Sequence, residues 1–270
     1  MSIKIKVITA DNPGPTTNNG TNTYIIGDQE LIIIDPGPKS EFHFSNIRNY
    51  INNRPVKMIL ITHHHLDHIG LLADLCNLTN ANIYLDKIQQ KKLLEVYPDI
   101  KKHTKILDKS ILFANVTIEP IYSPGHASDH FCFRIPGEVI FTGDHIMGWS
   151  TTMIRKPDGD MGQYIQSLNK ISKYTKEIFL PGHGNKIVDG HKRCEELIDH
   201  RNKRSNQILR ILEKKDLEAH EITKIIYKKI SKKLIAYAEL TVEASLDEMI
   251  ARNLIERKSV DNKYIYSIRT

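Results

Sequence analysis

Cysteine is scarce: Cys76, Cys132 and Cys194 are the only three in 270 residues. Odd in number and widely scattered, they exclude a disulfide frame and suggest a reducing compartment. Long apolar runs are also missing. The greasiest stretches, Leu31–Ile34 and Met58–Ile61, are strand-sized, far short of the roughly 20 residues that cross a bilayer, so no membrane association is expected. The opening Met1-Ser2-Ile3-Lys4-Ile5-Lys6 lacks an apolar signal core, a small-residue cleavage site and the Arg- and Ser-rich pattern of a transit peptide. With 14 Gly and 11 Pro there is too little of either for a fibrous repeat, and 40% hydrophobic residues argue against disorder. Internal repeats and low-complexity segments are absent. The expectation is a soluble, cytoplasmic chain with one large domain, or a large one plus a small one.

Charge is unevenly placed within the net +6. Up to Gly190, 20 Lys and Arg face 19 Asp and Glu, whereas from His191 onward 18 face 13. Much of the excess lies in Lys214–Lys233. A basic tail suits a polyanion such as nucleic acid, and a solvated lysine-rich helix face gives the same count.

Strand-like and helix-like patterns alternate over the first 185 or so residues. Extended runs are expected at Ile3–Thr9, Thr23–Gly27, Leu31–Asp35, Lys57–Thr62, Asn82–Leu85, Val116–Tyr122, His130–Arg134, Val139–Thr142 and Glu177–Leu180. Helices are expected over Ser40–Asn52, with a Ser N-cap, over Gly70–Asn77 and over Gln163–Tyr174. This interleaving predicts a layered α/β domain. The character changes near Gly190. One long charged helix over His191–Lys215 is followed by helices over Ala219–Ile230 and Leu234–Arg252, then by strands Leu254–Lys258 and Tyr264–Ile268 joined by Val260-Asp261-Asn262-Lys263. Helices before a β-hairpin are the winged-helix arrangement, which divides the chain into residues 1–190 and 191–270.

The sharpest chemical signal is Thr62-His63-His64-His65-Leu66-Asp67-His68-Ile69-Gly70, placed where a strand ends. Alternate residues of extended backbone face the same way, so His63 and His65 can present imidazoles to one point. Imidazole and carboxylate are ligands for borderline divalent metals, zinc above all. Three later islands repeat the form: Ser123-Pro124-Gly125-His126, Phe141-Thr142-Gly143-Asp144 and Leu180-Pro181-Gly182-His183-Gly184. Each puts a ligand-type side chain beyond a strand, behind a glycine that permits a tight turn. A polar loop residue after a strand is ordinary on its own; four of one form read as a single metal centre assembled from four loops.

With these residues in place the chain resembles the metallo-β-lactamase superfamily, in the order and spacing of its dinuclear hydrolases. The resemblance implies an αββα sandwich. It assigns His63, His65 and His126 to one Zn²⁺ and Asp67, His68 and His183 to a second, with Asp144 bridging; Mn²⁺ or Fe²⁺ would suit the same donors. Asp67 would also act in catalysis by orienting the attacking water or accepting its proton. Asn12-Pro13-Gly14-Pro15, Gly20-Thr21-Asn22-Thr23-Tyr24 and His200-Arg201-Asn202 narrow the resemblance to the lactamase-beta-2-like branch. That branch carries a small winged-helix-like C-terminal domain and includes a single-strand-specific endoribonuclease. Leu71 stands where many of its members place a second glycine.

Two divalent ions can lower the pKa of a shared water toward neutrality, supplying a hydroxide nucleophile without Ser or Cys. The metal set alone does not choose among phosphodiester, thioester and lactam. No Cys occupies a ligand position and His68 follows Asp67, which argues against a β-lactamase. The basic tail favours phosphodiester cleavage in single-stranded RNA, with Tyr24, Trp149 and Tyr164 as candidate stacking residues and Thr151 and Thr152 as candidate substrate contacts. A thioesterase acting on a small acyl-CoA, acyl-carrier or hydroxyacylglutathione-type thioester is the second reading. A nucleic-acid-binding regulator with a vestigial metal site is the third. The tail could equally serve a homodimer. His64 is expected to face away from its neighbours, and Asp129 and His130 either orient ligands or simply begin a strand.

Overall fold

The computed structural model describes residues 3–229 and 231–269. Met1 and Ser2 of the opening segment, and Ile230 of the helix expected at Ala219–Ile230, lie outside the described residues. The chain divides into two compact units. The first comprises Met1–Ser123, Asp129–Thr151 and Tyr174–Arg193; the second comprises Pro124–Ser128, Thr152–Lys173 and Cys194–Thr270.

The first unit opens with strands β1 (Ile5–Thr9), β2 (Asn22–Gly27) and β3 (Leu31–Ile34), then α1 (Glu41–Ile51) and β4 (Val56–Leu60). Helices α2 (Leu66–Ile69) and α3 (Leu72–Thr79), strand β5 (Asn82–Leu85), helix α4 (Lys87–Val96), a 3₁₀ turn at Pro98–His103 and β6 (Thr104–Ile106) follow. These strands form one sheet in the order β1-β2-β3-β4-β5-β6, antiparallel through β3 and parallel beyond it. A second sheet, in the order β11-β10-β9-β8-β7, holds β7 (Ile111–Phe113), β8 (Val116–Tyr122), β9 (Phe131–Ile135), β10 (Val139–Gly143) and β11 (Ile178–Pro181), with β10 and β11 parallel.

Period-two alternation decides what each strand buries. In β3, Leu31 and Ile33 join a core with Ile47 and Ile51 of α1 and with Leu72 and Leu75 of α3. Ile32 and Ile34 face the other way, into a core shared with Phe133 of β9 and Phe141 of β10. A continuous apolar run thus serves a sheet covered on both faces. The parallel strands β3 and β4 end at the same edge, as do β10 and β11, and ligand-type residues cluster in the turns that follow them.

The sequence patterns place no elements in residues 86–115, yet α4, β6 and β7 lie there. Helix α4 carries few apolar residues, and its buried face includes Gln89. Its start is marked by a capping box between Asp86 and Gln89, a local signal that hydrophobic periodicity does not register.

The second unit contains α5 (Met161–Ile171), most of α6 (Gly190–Leu212), α7 (Ala219–Ile226), α8 (Lys232–Ala251) and the antiparallel pair β12 (Ile255–Val260) and β13 (Lys263–Ile268). Ile208, Ile222, Val242, Leu246 and Tyr266 share its core. Among the described residues no helix is long and apolar enough to cross a membrane.

Candidate metal centre

The turn after β4 carries His63, His64 and His65, and α2 begins at once with Leu66, Asp67 and His68. The turn after β10 carries Asp144 and the turn after β11 carries His183. One donor atom each from Asp67, His68 and His183 lies within 4.8 Å of the others, and the same holds for His63, His65 and Asp144. Asp144 Oδ1 stands 3.3 Å from His68 Nε2 and 3.1 Å from His183 Nε2, so it faces both groups. Asp67 Oδ2 is 3.6 Å and 3.3 Å from the same two nitrogens. His63 Nε2 and His65 Nδ1 are 2.9 Å apart, near enough for one ion with bonds of about 2.0–2.1 Å to reach both.

The imidazoles are oriented from behind. His68 Nδ1 lies 2.8 Å from Asp35 Oδ2 and donates to it, leaving the Nε2 lone pair aimed inward. Thr62 Oγ1 donates to the same Asp35 oxygen at 2.7 Å and therefore accepts from His63 Nδ1 at 3.0 Å. One buried carboxylate thus orients an imidazole of each group. His183 Nδ1 faces the carbonyl of Gly20 at 3.3 Å, which again leaves Nε2 for the cluster. Gly182 admits this approach: a Cβ there would stand 2.6 Å from Asp144 Oδ1 and 2.7 Å from His68 Cε1.

The electrostatics suit a cation. Burial by itself raises the pKa of Asp67, but the His68 and His183 imidazoles outweigh it and bring the carboxyl to about 2. Asp144 is held well below the usual range by the same two imidazoles despite its burial. Burial disfavours charge on His183, yet Asp144 and Asp67 raise it to about 9, and they lift His68 well above its ordinary value. A negative field that favours protons on two buried imidazoles would also favour a divalent cation, whose binding would require those protons to leave. Donor types, lone-pair directions and field all fit a divalent metal.

A family model of the metallo-beta-lactamase superfamily matches residues 16–183. The chain belongs to this superfamily. The beta-lactamase-like protein 2 homolog of Drosophila melanogaster is 28% identical over 271 residues, covering 94% of this chain and 91% of that one. Its Caenorhabditis elegans counterpart is 30% identical over 241 residues, covering 84% and 77%. These matches put the chain in the lactamase-beta-2-like branch. The atrochrysone carboxyl ACP thioesterase of Aspergillus fumigatus is 30% identical over 218 residues, covering 79% of this chain and 66% of its own. Among solved structures, a beta-lactamase domain protein from Burkholderia ambifaria superposes with a TM-score of 0.85 at 17% identity, covering 98% and 91%. A metallo-beta-lactamase family protein from Thermus thermophilus gives 0.76 at 19%, covering 98% of each chain. The α/β fold expected from the sequence is the fold of this superfamily, whose members are generally hydrolases.

Within this metallo-β-lactamase fold, other candidate residues take different places. Tyr24 is 5% exposed, sits edge-on against Phe141 with centroids 5.1 Å apart, and donates its hydroxyl to Pro181 O at 2.7 Å. Its buried ring offers no face to a base, which corrects its expected stacking role. Asn22 Nδ2 reaches Pro181 O at 3.0 Å and Gly184 O at 2.9 Å, gripping both sides of the His183 turn. The Gly20–Tyr24 motif is thus a clamp on the His183 loop. Tyr164 is fully buried in the second unit and Thr152 is 1% exposed there, so neither side chain offers a surface to substrate, against expectation. Trp149 remains 40% exposed and lies beside Gly184, where a Cβ would stand 2.8 Å from its Cδ1; Thr151 is half-buried. His64 turns to Asp129, Nδ1 to Oδ1 at 2.8 Å, and Lys92 reaches the same oxygen at 3.5 Å. His130 packs 5.2 Å from His63, ring centre to ring centre. His126 belongs to the second unit, where its Nδ1 faces Met153 O at 2.8 Å.

Asp35 escaped the sequence reading. It follows β3 in Asp35-Pro36-Gly37, the same carboxylate-after-strand form as the other islands. Its φ of 53° marks the tight turn that aims it.

Proposed function

We propose that this protein is a dinuclear zinc hydrolase that cuts phosphodiester bonds in single-stranded RNA. The observation that carries the two-metal reading is Asp144 Oδ1 between His68 and His183, in a residue that also groups with His63 and His65. The family resemblance adds His126 as the third imidazole of that latter group. Bound there, a pair of divalent ions supplies Lewis acidity and a water ionised at neutral pH. The chain's own residues hold and aim. Asp35 fixes the lone pairs of His63 and His68, the Gly20 carbonyl fixes His183, and the half-exposed Asp67 carboxylate can orient a water or take its proton. Trp149 beside Gly184 is a stacking surface for a base. The excess of Lys and Arg beyond His191 attracts the backbone. Coverage of 94% and 84% of this chain by the two beta-lactamase-like protein 2 homologs supports a relationship that extends over most of its length.

A thioester substrate is the second reading, favoured by 30% identity to the Aspergillus fumigatus thioesterase. One comparison separates the two. Zinc-loaded protein is incubated with labelled single-stranded RNA and with an acyl-CoA and acyl-carrier panel, with apo protein controlling for contaminating nucleases. RNA cleavage with the higher kcat/KM supports the nuclease; thioester turnover without metal-dependent RNA cleavage replaces it with the thioesterase.

A further inference from the structure

The loop at residues 124–128 is tied down within the second unit at almost every position. Ser167 Oγ donates to Pro124 O at 2.8 Å, Asp160 N–H to Gly125 O at 2.8 Å and Ser128 Oγ to Asp158 Oδ1 at 2.6 Å. Gly125, with φ +139°, lies so close to α5 that a Cβ would stand 2.3 Å from Tyr164 Cα. His126 points Nδ1 at Met153 O, and a carbonyl only accepts, so its lone pair is on Nε2. The orientation of His126 is therefore as secure as the Met153 carbonyl. Residues 152–155 have no helix or ladder to hold that carbonyl in place.

Arg201 on α6 supplies the fastener. Its guanidinium donates to Thr152 O and lies 5.3 Å from the Tyr164 ring centroid. It is 4% exposed, its Nε finds no hydrogen-bond partner, and among the described residues it forms no ion pair with a carboxylate. A buried cation without a counter-ion is costly, and the Thr152 carbonyl and the Tyr164 ring are the groups set against that cost. The bond it makes pins the peptide joining Thr152 to Met153, one rotation away from the carbonyl that His126 needs.

We propose that Arg201 is a positioning residue for metal binding, locking the Thr152–Met153 peptide so that Met153 O holds His126 with Nε2 offered to the cation. The proposal rests on His126 being a ligand, as the function proposed above requires. It gives the His200-Arg201-Asn202 motif a physical task, and it makes one ligand depend on the long helix of the other sequence half.

The test measures zinc affinity by competition with a chelator in full-length Arg201→Met, Arg201→Lys and His126→Ala proteins. Imidazole nitrogen NMR of the apo proteins reads the His126 tautomer. Arg201→Met should weaken one of two zinc equivalents about 10- to 100-fold, leave the other, and mix the His126 tautomers. Arg201→Lys, which keeps a donor, should recover part of both. A protein carrying both Arg201→Met and His126→Ala should bind no more weakly than His126→Ala. Unchanged zinc affinity and tautomer in Arg201→Met overturn the proposal. So does loss of both equivalents together, or an Arg201→Lys protein that recovers neither the tautomer nor the zinc affinity lost in Arg201→Met. Two full-affinity equivalents in His126→Ala would instead overturn the ligand assignment.

Discussion

At Gly182 the space of one methyl group decides whether the donors can converge. A Cβ would sit 2.6 Å from Asp144 Oδ1, so Gly182→Ala should displace Asp144 or His183 and cost most of the bound metal while leaving the melting transition cooperative; elemental analysis and calorimetry check both. Asp35 acts from behind, on His68 directly and on His63 through Thr62. Asp35→Asn should lower metal affinity about 10- to 100-fold, measurable by chelator competition; unchanged affinity would remove Asp35 from the site. The histidines and Asp144 are legible in the chain because ligand chemistry is written in residue type and because four short islands share one form. Tyr24 is misread for a related reason. An aromatic next to a motif carries no mark of burial, and its place against Phe141 comes from strands more than a hundred residues apart.

Elements show how neighbours change a side chain's meaning. Helix α1 buries His43, Ile47 and Ile51, a stripe at helical spacing. Burial lowers the pKa of His43 to about 4, and its Nε2 lies 2.8 Å from Thr23 Oγ1. The folded state thus binds this proton less well than the unfolded chain, so stability is complete above about pH 6.5 and falls as pH drops from there toward 4, by roughly 3 kcal/mol. Denaturant titrations of wild type and His43→Gln should diverge in that window, with the variant flatter. Helix α4 shows where legibility ends. Its buried Gln89 donates to Ile61 O at 2.8 Å, beside the turn that carries His63, His64 and His65. A polar residue facing inward breaks the apolar period, and only its capping role near Asp86 marks the helix start.

Over the whole molecule, the excess of positive charge and Arg201 lie in the same C-terminal third. Lys214, Lys215, Lys224, Lys228 and Lys229 are exposed, which suits an electrostatic hold on RNA. Lys224→Glu combined with Lys228→Glu should flatten the salt dependence of RNA binding, since each phosphate contact on a single strand contributes a slope of about −0.7 in log affinity against log salt; an unchanged slope would mark these lysines as solvated surface. Removing everything beyond Gly190 does not isolate that effect, because Arg201 would be lost with the lysines. The amino-acid sequence alone determined the candidate donors and the layered α/β class, because residue type and alternation along a strand are local properties of consecutive residues. Only the tertiary structure decided that Asp35 orients two imidazoles, that Tyr24 braces the His183 turn and that Arg201 holds the Thr152 carbonyl. Those roles depend on pairs separated by dozens of residues, and packing rather than chain order brings them within hydrogen-bond reach.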